Sequence, residues 1–176
     1  MHDQRANLAG LERLNGLSVD EARRQLHVVC GSAKWVDAMV AGRPFASVES
    51  MYAAADESWF GLQKQDWLEA FSHHPRIGER SLAQAKFAAT ATQSSKEQSG
   101  MARASEAVRA EFAAGNAAYE KKFGHVFLVC ATGKTGEEML GTLRARMQND
   151  AATELRNAAN EQSKIVRIRL GKLVES

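Results

Sequence analysis

The chain has 176 residues, enough for one domain with a core that needs no staple. Hydrophobic residues at 44% and charged residues at 25% are ordinary for a water-soluble globular protein, and 23 basic against 21 acidic side chains leave a net charge of +2. So weak a field excludes global recruitment of nucleic acid or an anionic membrane, and no apolar run approaches the roughly 20 residues of a membrane span. Cys30 and Cys130 form no C-x-x-C pair and read as two buried thiols in a reducing compartment. The opening MHDQRANLAG lacks a basic stretch followed by an apolar core, and the closing LVES is not a peroxisomal address. The expectation is a soluble cytoplasmic protein.

In chain order the start and stop signals are those of helices. Proline is scarce, alanine abundant, and valine and isoleucine rarely cluster. Ser18 with Glu21 predicts a capping box before EARRQLHVVC, and Gly31 closes that segment. A short helix over AKWVDAMV is stopped by Gly42, Arg43 and Pro44. Ser47 caps the next, in which Val48, Met51, Tyr52, Ala55 and Trp59 recur at helical spacing. DWLEAF adds a turn or two before FSHHPRIGER, where Pro75 pushes His74 away from helical geometry. AATATQSS (88–95) reads as a loop inside one domain, not as a linker between two. Ser94 with Glu97 opens a long predicted helix from about Ser95 to Phe123, ended by Gly124. FLVCA (127–131) is the one strand-like run. Thr135 with Glu138 caps a helix through Met147, and a last helix runs from about Asp150 to Leu170. The sum is a single all-α domain, residues 1–176, built as a bundle of roughly eight helices.

Three patterns invite a chemical reading. TGKTGEE (132–138) has the strand–GKT–helix look of a phosphate loop, but the Walker pattern requires glycine where Leu128 stands, so a helix cap with a glycine turn is the better reading. The histidines, His2, His27, His73, His74 and His125, have no i, i+3 or i, i+4 pair, and no cysteine or carboxylate cluster completes a tetrahedral set, so no metal is expected. In KIVRIRLGKL, at 100° per residue, Arg169 falls in the apolar sector of Leu155, Ala158, Ile165, Val166 and Leu173, whereas Arg167 points nearly opposite. An arginine on a core-facing stripe needs an anion, either a structural carboxylate or a bidentately held ligand. His74, at a proline-fixed break, suits a general acid or base near neutral pH, although a histidine closing a helix would look the same. His74, Glu97 and Arg169 together offer an acid–base group, a hydrogen-bond acceptor and an anion clamp, a set for a small anionic substrate with no cofactor.

Taken in order, HHPRIGE (73–79), SSKEQSG (94–100), YEKKFGHVFLVCATGK (119–134) and KIVRIRL (164–170) resemble one family. It is that of 2-oxo-4-hydroxy-4-carboxy-5-ureidoimidazoline (OHCU) decarboxylase, the last enzyme in converting urate to (S)-allantoin. LNGLSVDEARRQL and CGSAKWVDAMVAGRPFAS also match, so the resemblance covers nearly the whole chain. It implies an all-helical, cofactor-free, usually homodimeric carboxy-lyase acting on OHCU, with no nucleic-acid partner. The catalytic histidine of the family falls on His74, with His73 at a position often held by a small residue. The substrate-binding stretches fall on Pro75, on Ser94, Ser95, Lys96, Glu97 and Gln98, and on the backbone of Phe127, Leu128, Val129, Cys130 and Ala131. The C-terminal arginine falls on Arg169. One departure is the long spacer SLAQAKFAATATQ between the histidine and glutamate motifs. Two readings from other classes are a helical regulator that binds nucleic acid through Lys164, Arg167 and Lys172, and a ligand sensor without turnover.

Overall fold

The computed structural model describes the backbone over residues 2–77 and 99–175, and side chains over 7–77 and 100–175. All regular structure within those limits is helical, as the composition predicts. Nine helices are present among the described residues: α1 (His2–Gly16), α2 (Val19–Val29), α3 (Ala33–Ala41), α4 (Val48–Phe60), α5 (Lys64–Ser72), α6 (Ser99–Ala102), α7 (Glu106–Phe123), α8 (Gly136–Arg146) and α9 (Ala151–Glu175). No described helix is long and apolar enough to cross a membrane.

The caps explain most of the boundaries. Ser18, Ser32, Ser47, Ser105 and Thr135 each accept a backbone N–H from the first turn of the helix they open. At Thr135 the Glu138 carboxylate also reaches back to the cap N–H, completing the predicted box. The box predicted at Ser18 is half made: Ser18 accepts from Glu21 N, but the Glu21 carboxylate pairs instead with Arg24. Gly124, at φ 78°, ends α7 in the left-handed conformation that glycine adopts without strain.

Three expectations are revised. The long helix predicted from Ser95 to Phe123 is interrupted, because Ser105 takes an extended conformation and starts α7 afresh at Glu106. FLVCA forms no strand; residues 127–131 carry no regular structure, since no neighbouring strand exists among the described residues to complete a ladder. The last helix continues past Leu170 to Glu175, through Gly171, where a Cβ would lie 3.0 Å from the Tyr52 hydroxyl. The predicted loop at 88–95 lies outside the described residues.

Contacts divide the chain into two compact units, 1–70 with 163–176, and 71–162. In the first, Leu11, Leu14, Leu26, Trp35, Met39, Met51 and Trp59 are buried. The Trp35 indole donates to Ala55 O (3.1 Å), and Arg43 donates to Leu14 O and Leu17 O (2.7 and 2.9 Å), closing the end of α1. The second unit has its own core, in which Phe112, Tyr119 and Phe127 pack with Met101, Met139 and Leu143. Cys30 and Cys130 are both buried and are not joined in a disulfide.

Candidate active site

The described parts of the motifs at 73–79 and 119–134 are fastened by residues whose role is mechanical. α5 ends at Ser72, and the His74 N–H closes the turn on Phe71 O (3.1 Å). Pro75, which has no N–H and restricts the residue before it, fixes the chain direction there. His73 is exposed, while His74 is buried at 9% exposure, more enclosed than a surface loop would leave it. The next two residues tie the stretch to α7. Arg76 grips Glu120 bidentately (2.5 and 2.8 Å), and Ile77 sinks into the core with its carbonyl accepting from the buried Asn116 amide (3.1 Å).

A chain of ring contacts joins this helix end to the 127–131 segment. Phe71 meets His125 at 5.3 Å between centroids, His125 meets Tyr119 at 5.5 Å, and Tyr119 meets Phe127 at 5.2 Å. Such tilted and edge-on packing holds the two stretches in one core.

Residues 127–131 are all buried, at 3–8% exposure, and long side chains hold their backbone in place of a partner strand. Arg146 donates to Leu128 O (2.6 Å) and stacks over the Phe127 ring (4.8 Å). The Glu161 carboxylate accepts from Cys130 N (2.6 Å), and Lys134 Nζ donates to Cys130 O (2.7 Å). Behind Arg146 sits an ion pair with Glu154, which exposes none of its surface. Glu154 also accepts from the Tyr119 hydroxyl and from Asn149 (2.8 Å). Burial pushes the Glu154 carboxyl up, but hydrogen bonds from Arg146, Tyr119 and Asn149, with the guanidinium charge, outweigh it and hold the group below its ordinary value. Burial, then the bond to Glu154, pushes the Tyr119 phenol up, so it remains a donor.

The glycine of SSKEQSG has a structural reason. A Cβ on Gly100 would come within 1.8 Å of Lys134 O, so only glycine lets α6 press against the turn that follows 127–131. Ser94, Ser95, Lys96, Glu97 and Gln98, like Gly78 and Glu79, lie outside the described residues.

Arg169, in the other unit, is buried at 4% exposure, and its guanidinium lies 3.4 Å from Val29 O. Arg167 faces out, pairing with Asp56 (2.6 Å) and stacking on Tyr52 (4.6 Å). The helical-wheel distinction between the two arginines therefore holds. Sequence reasoning missed Arg146, Glu154 and Glu161. For Glu154 a signal exists: it is eleven residues before Ile165, about 20° away on the wheel, and so lies on the same apolar stripe.

Comparison with known proteins agrees with the motifs. The OHCU decarboxylase family matches residues 15–171. The chain is similar to the uric acid degradation bifunctional protein TTL of Arabidopsis thaliana, 39% identical over 147 residues, covering 83% of this chain and 45% of that protein. It thus spans less than half the length of that relative. It is also similar to the 2-oxo-4-hydroxy-4-carboxy-5-ureidoimidazoline decarboxylase of Amia calva, 28% identical over 166 residues and covering 94% of each chain. Among solved structures it is similar to an OHCU decarboxylase crystallised in the presence of (S)-allantoin, with a TM-score of 0.74, 35% identity, and coverage of 85% of this chain and 96% of that one. With the family match extending from α1 into the last turns of α9, the chain belongs to the OHCU decarboxylase family.

Proposed function

We propose that this chain converts OHCU to (S)-allantoin and carbon dioxide, the last step of urate oxidation, without a cofactor. The observation that carries the reading beyond family membership is His74: an imidazole at 9% exposure, at a proline-fixed break anchored by Arg76 and Ile77. A proton donor held this way is oriented before substrate arrives, which is where such an enzyme gains over the slow spontaneous reaction.

The chemistry asks little else. Rupture of the bond to the carboxylate releases carbon dioxide, and the electron pair moves into the adjoining ring C=N unit. The substrate's own conjugation therefore stores the charge, and a metal or electron-sink cofactor has no step to perform. The ring hydroxyl becomes a carbonyl as its proton passes to the ring nitrogen that received the electron pair, while the ureido-bearing carbon takes a second proton. Delivery of that proton by His74 to one face sets the S configuration. Arg169 holds anionic oxygen through its guanidinium fork, and Glu97 accepts ring or ureido N–H bonds. Pro75, residues 94–98 and the backbone of 127–131 complete the substrate contacts. We further propose that the chain acts as one functional domain, as a cytoplasmic homodimer with no nucleic-acid partner.

The test is to add the protein to the freshly formed product of uricase and hydroxyisourate hydrolase and follow optical activity. Accelerated formation of a single allantoin enantiomer is expected. Racemic product at the uncatalysed rate would overturn the assignment.

A further inference from the structure

Gln162 is the feature that the functional reading leaves unexplained. It lies in α9 with none of its surface exposed, and neither its amide nitrogen nor its amide oxygen has a hydrogen-bond partner among the described residues. Buried polar groups in native proteins are nearly always paired, and an amide left with both ends unmet is unfavourable in the empty protein. Its surroundings on the helix offer no relief: Ala158 and Ala159, one turn earlier, and Val166, one turn later, present only methyl groups.

The same turn of α9 also holds a backbone segment that has unmet groups among the described residues. The preceding residue, Glu161, accepts the Cys130 N–H at 2.6 Å, so this turn of α9 rests on the 127–131 segment. In that segment Leu128 O is taken by Arg146, and both polar groups of Cys130 are taken by Glu161 and Lys134. Val129, between them and only 4% exposed, makes no hydrogen bond through its N–H or C=O among the described residues. The alternation is that of an extended chain clasped along one edge. Among the described residues, the Gln162 carboxamide and the Val129 backbone amide, each offering both donor and acceptor character, are thus without a partner in the same unit.

We propose that Gln162 binds substrate, its terminal amide forming a reciprocal donor–acceptor pair with the ureido group of the imidazoline. A urea presents a carbonyl flanked by N–H groups, the complement of a carboxamide. The unmet amide is then a recognition group whose hydrogen bonds are completed by the ligand, with affinity gained at the expense of stability in the empty enzyme. This rests on the decarboxylase reading, and the experiment separates the two.

Gln162→Leu removes both polar ends at similar volume, with the unbranched Gln162→Met as its companion. Each variant is compared with the wild type for KM and kcat on freshly generated OHCU, and for the melting temperature of the empty protein. Expected are a KM raised about tenfold or more, a smaller change in kcat, and a melting temperature equal to or above the wild type's. A KM within about twofold of the wild type would overturn the proposal and leave Gln162 as an amide that carries an internal water. A clear fall in melting temperature in both variants, or failure of both to fold, would also overturn it, since the amide would then have protein partners. Absence of turnover in the wild type itself would sink the decarboxylase reading instead.

Discussion

The ion pair between Arg146 and Glu154 makes the sharpest claim about what holds the 127–131 segment. Glu154 is fully enclosed and Arg146 is 8% exposed, so removing either partner strands a charge out of water. Replacing Glu154 with Leu leaves the guanidinium uncompensated and deprives the Tyr119 and Asn149 donors of their acceptor. Breaking one side of a buried pair costs about 3–5 kcal/mol, a large share of the ~5–15 kcal/mol that stabilises a typical domain. At roughly 2–4 °C per kcal/mol for a chain of this size, the melting temperature should fall by about 6–20 °C. Arg146→Met should fall in the same range. The double replacement, Arg146→Met with Glu154→Leu, should cost far less than the sum, because two apolar side chains strand no charge. Urea unfolding of the four proteins measures the cycle. The pair also has a pH signature. The Glu154 carboxyl is held below its ordinary value in the folded protein, so its stabilisation is complete above the unfolded carboxyl's pKa and is lost as pH falls through the folded one. Acidification below about 4.5 should therefore destabilise the wild type more steeply than the double variant. Additive single effects, or a single replacement costing under about 1 kcal/mol, would refute the assignment of this pair as the clamp on Leu128.

Two further outcomes test the residues proposed for catalysis. His74→Gln should abolish single-enantiomer allantoin formation, measured by circular dichroism, while costing about 1 kcal/mol of stability for its partly enclosed site; His73→Gln, at an exposed position, should leave turnover largely intact. Arg169→Lys should raise KM strongly despite the retained charge, because an ammonium cannot reproduce the guanidinium fork, whereas Arg167→Lys, on the exposed face, should change KM little.

How far these features were legible in the sequence depends on whether their causes are local. A cap is a contact across three residues, so Ser47, Thr135 and Gly124 mark their helix ends directly. Arg169 was legible too, since burial on a helix follows from periodicity alone. The break at Ser105 was not, because Ser94 and Glu97 offered a competing start signal eleven residues earlier and nothing local decides between them. The segment 127–131 was misread for a physical reason: its β-branched and aromatic residues fit a pleated, buried backbone, but a strand requires a partner, and here side chains stand in for one. Those side chains come from positions up to 31 residues away, a separation that no pattern in a single sequence spans.

The same logic accounts for the most misleading stretch in the chain. A lysine after glycine, between an apolar run and a helix, looks like a phosphate loop because both uses need a tight turn that returns the lysine over the preceding backbone. In a phosphate loop the ammonium reaches past that backbone to a nucleotide. Here Lys134 Nζ folds back onto Cys130 O at 2.7 Å, Thr135 caps α8, and the Lys134 carbonyl packs against Gly100. The turn therefore links two motifs of the family, the one ending at Gly100 and the one running through 127–131. It fixes the spacing between them. Glycine, lysine and threonine serve here as the parts of a backbone clamp: Gly133 at φ 79° makes the turn, Lys134 holds Cys130 O and Thr135 caps the helix. What they do in this structure is hold neighbouring backbone in place.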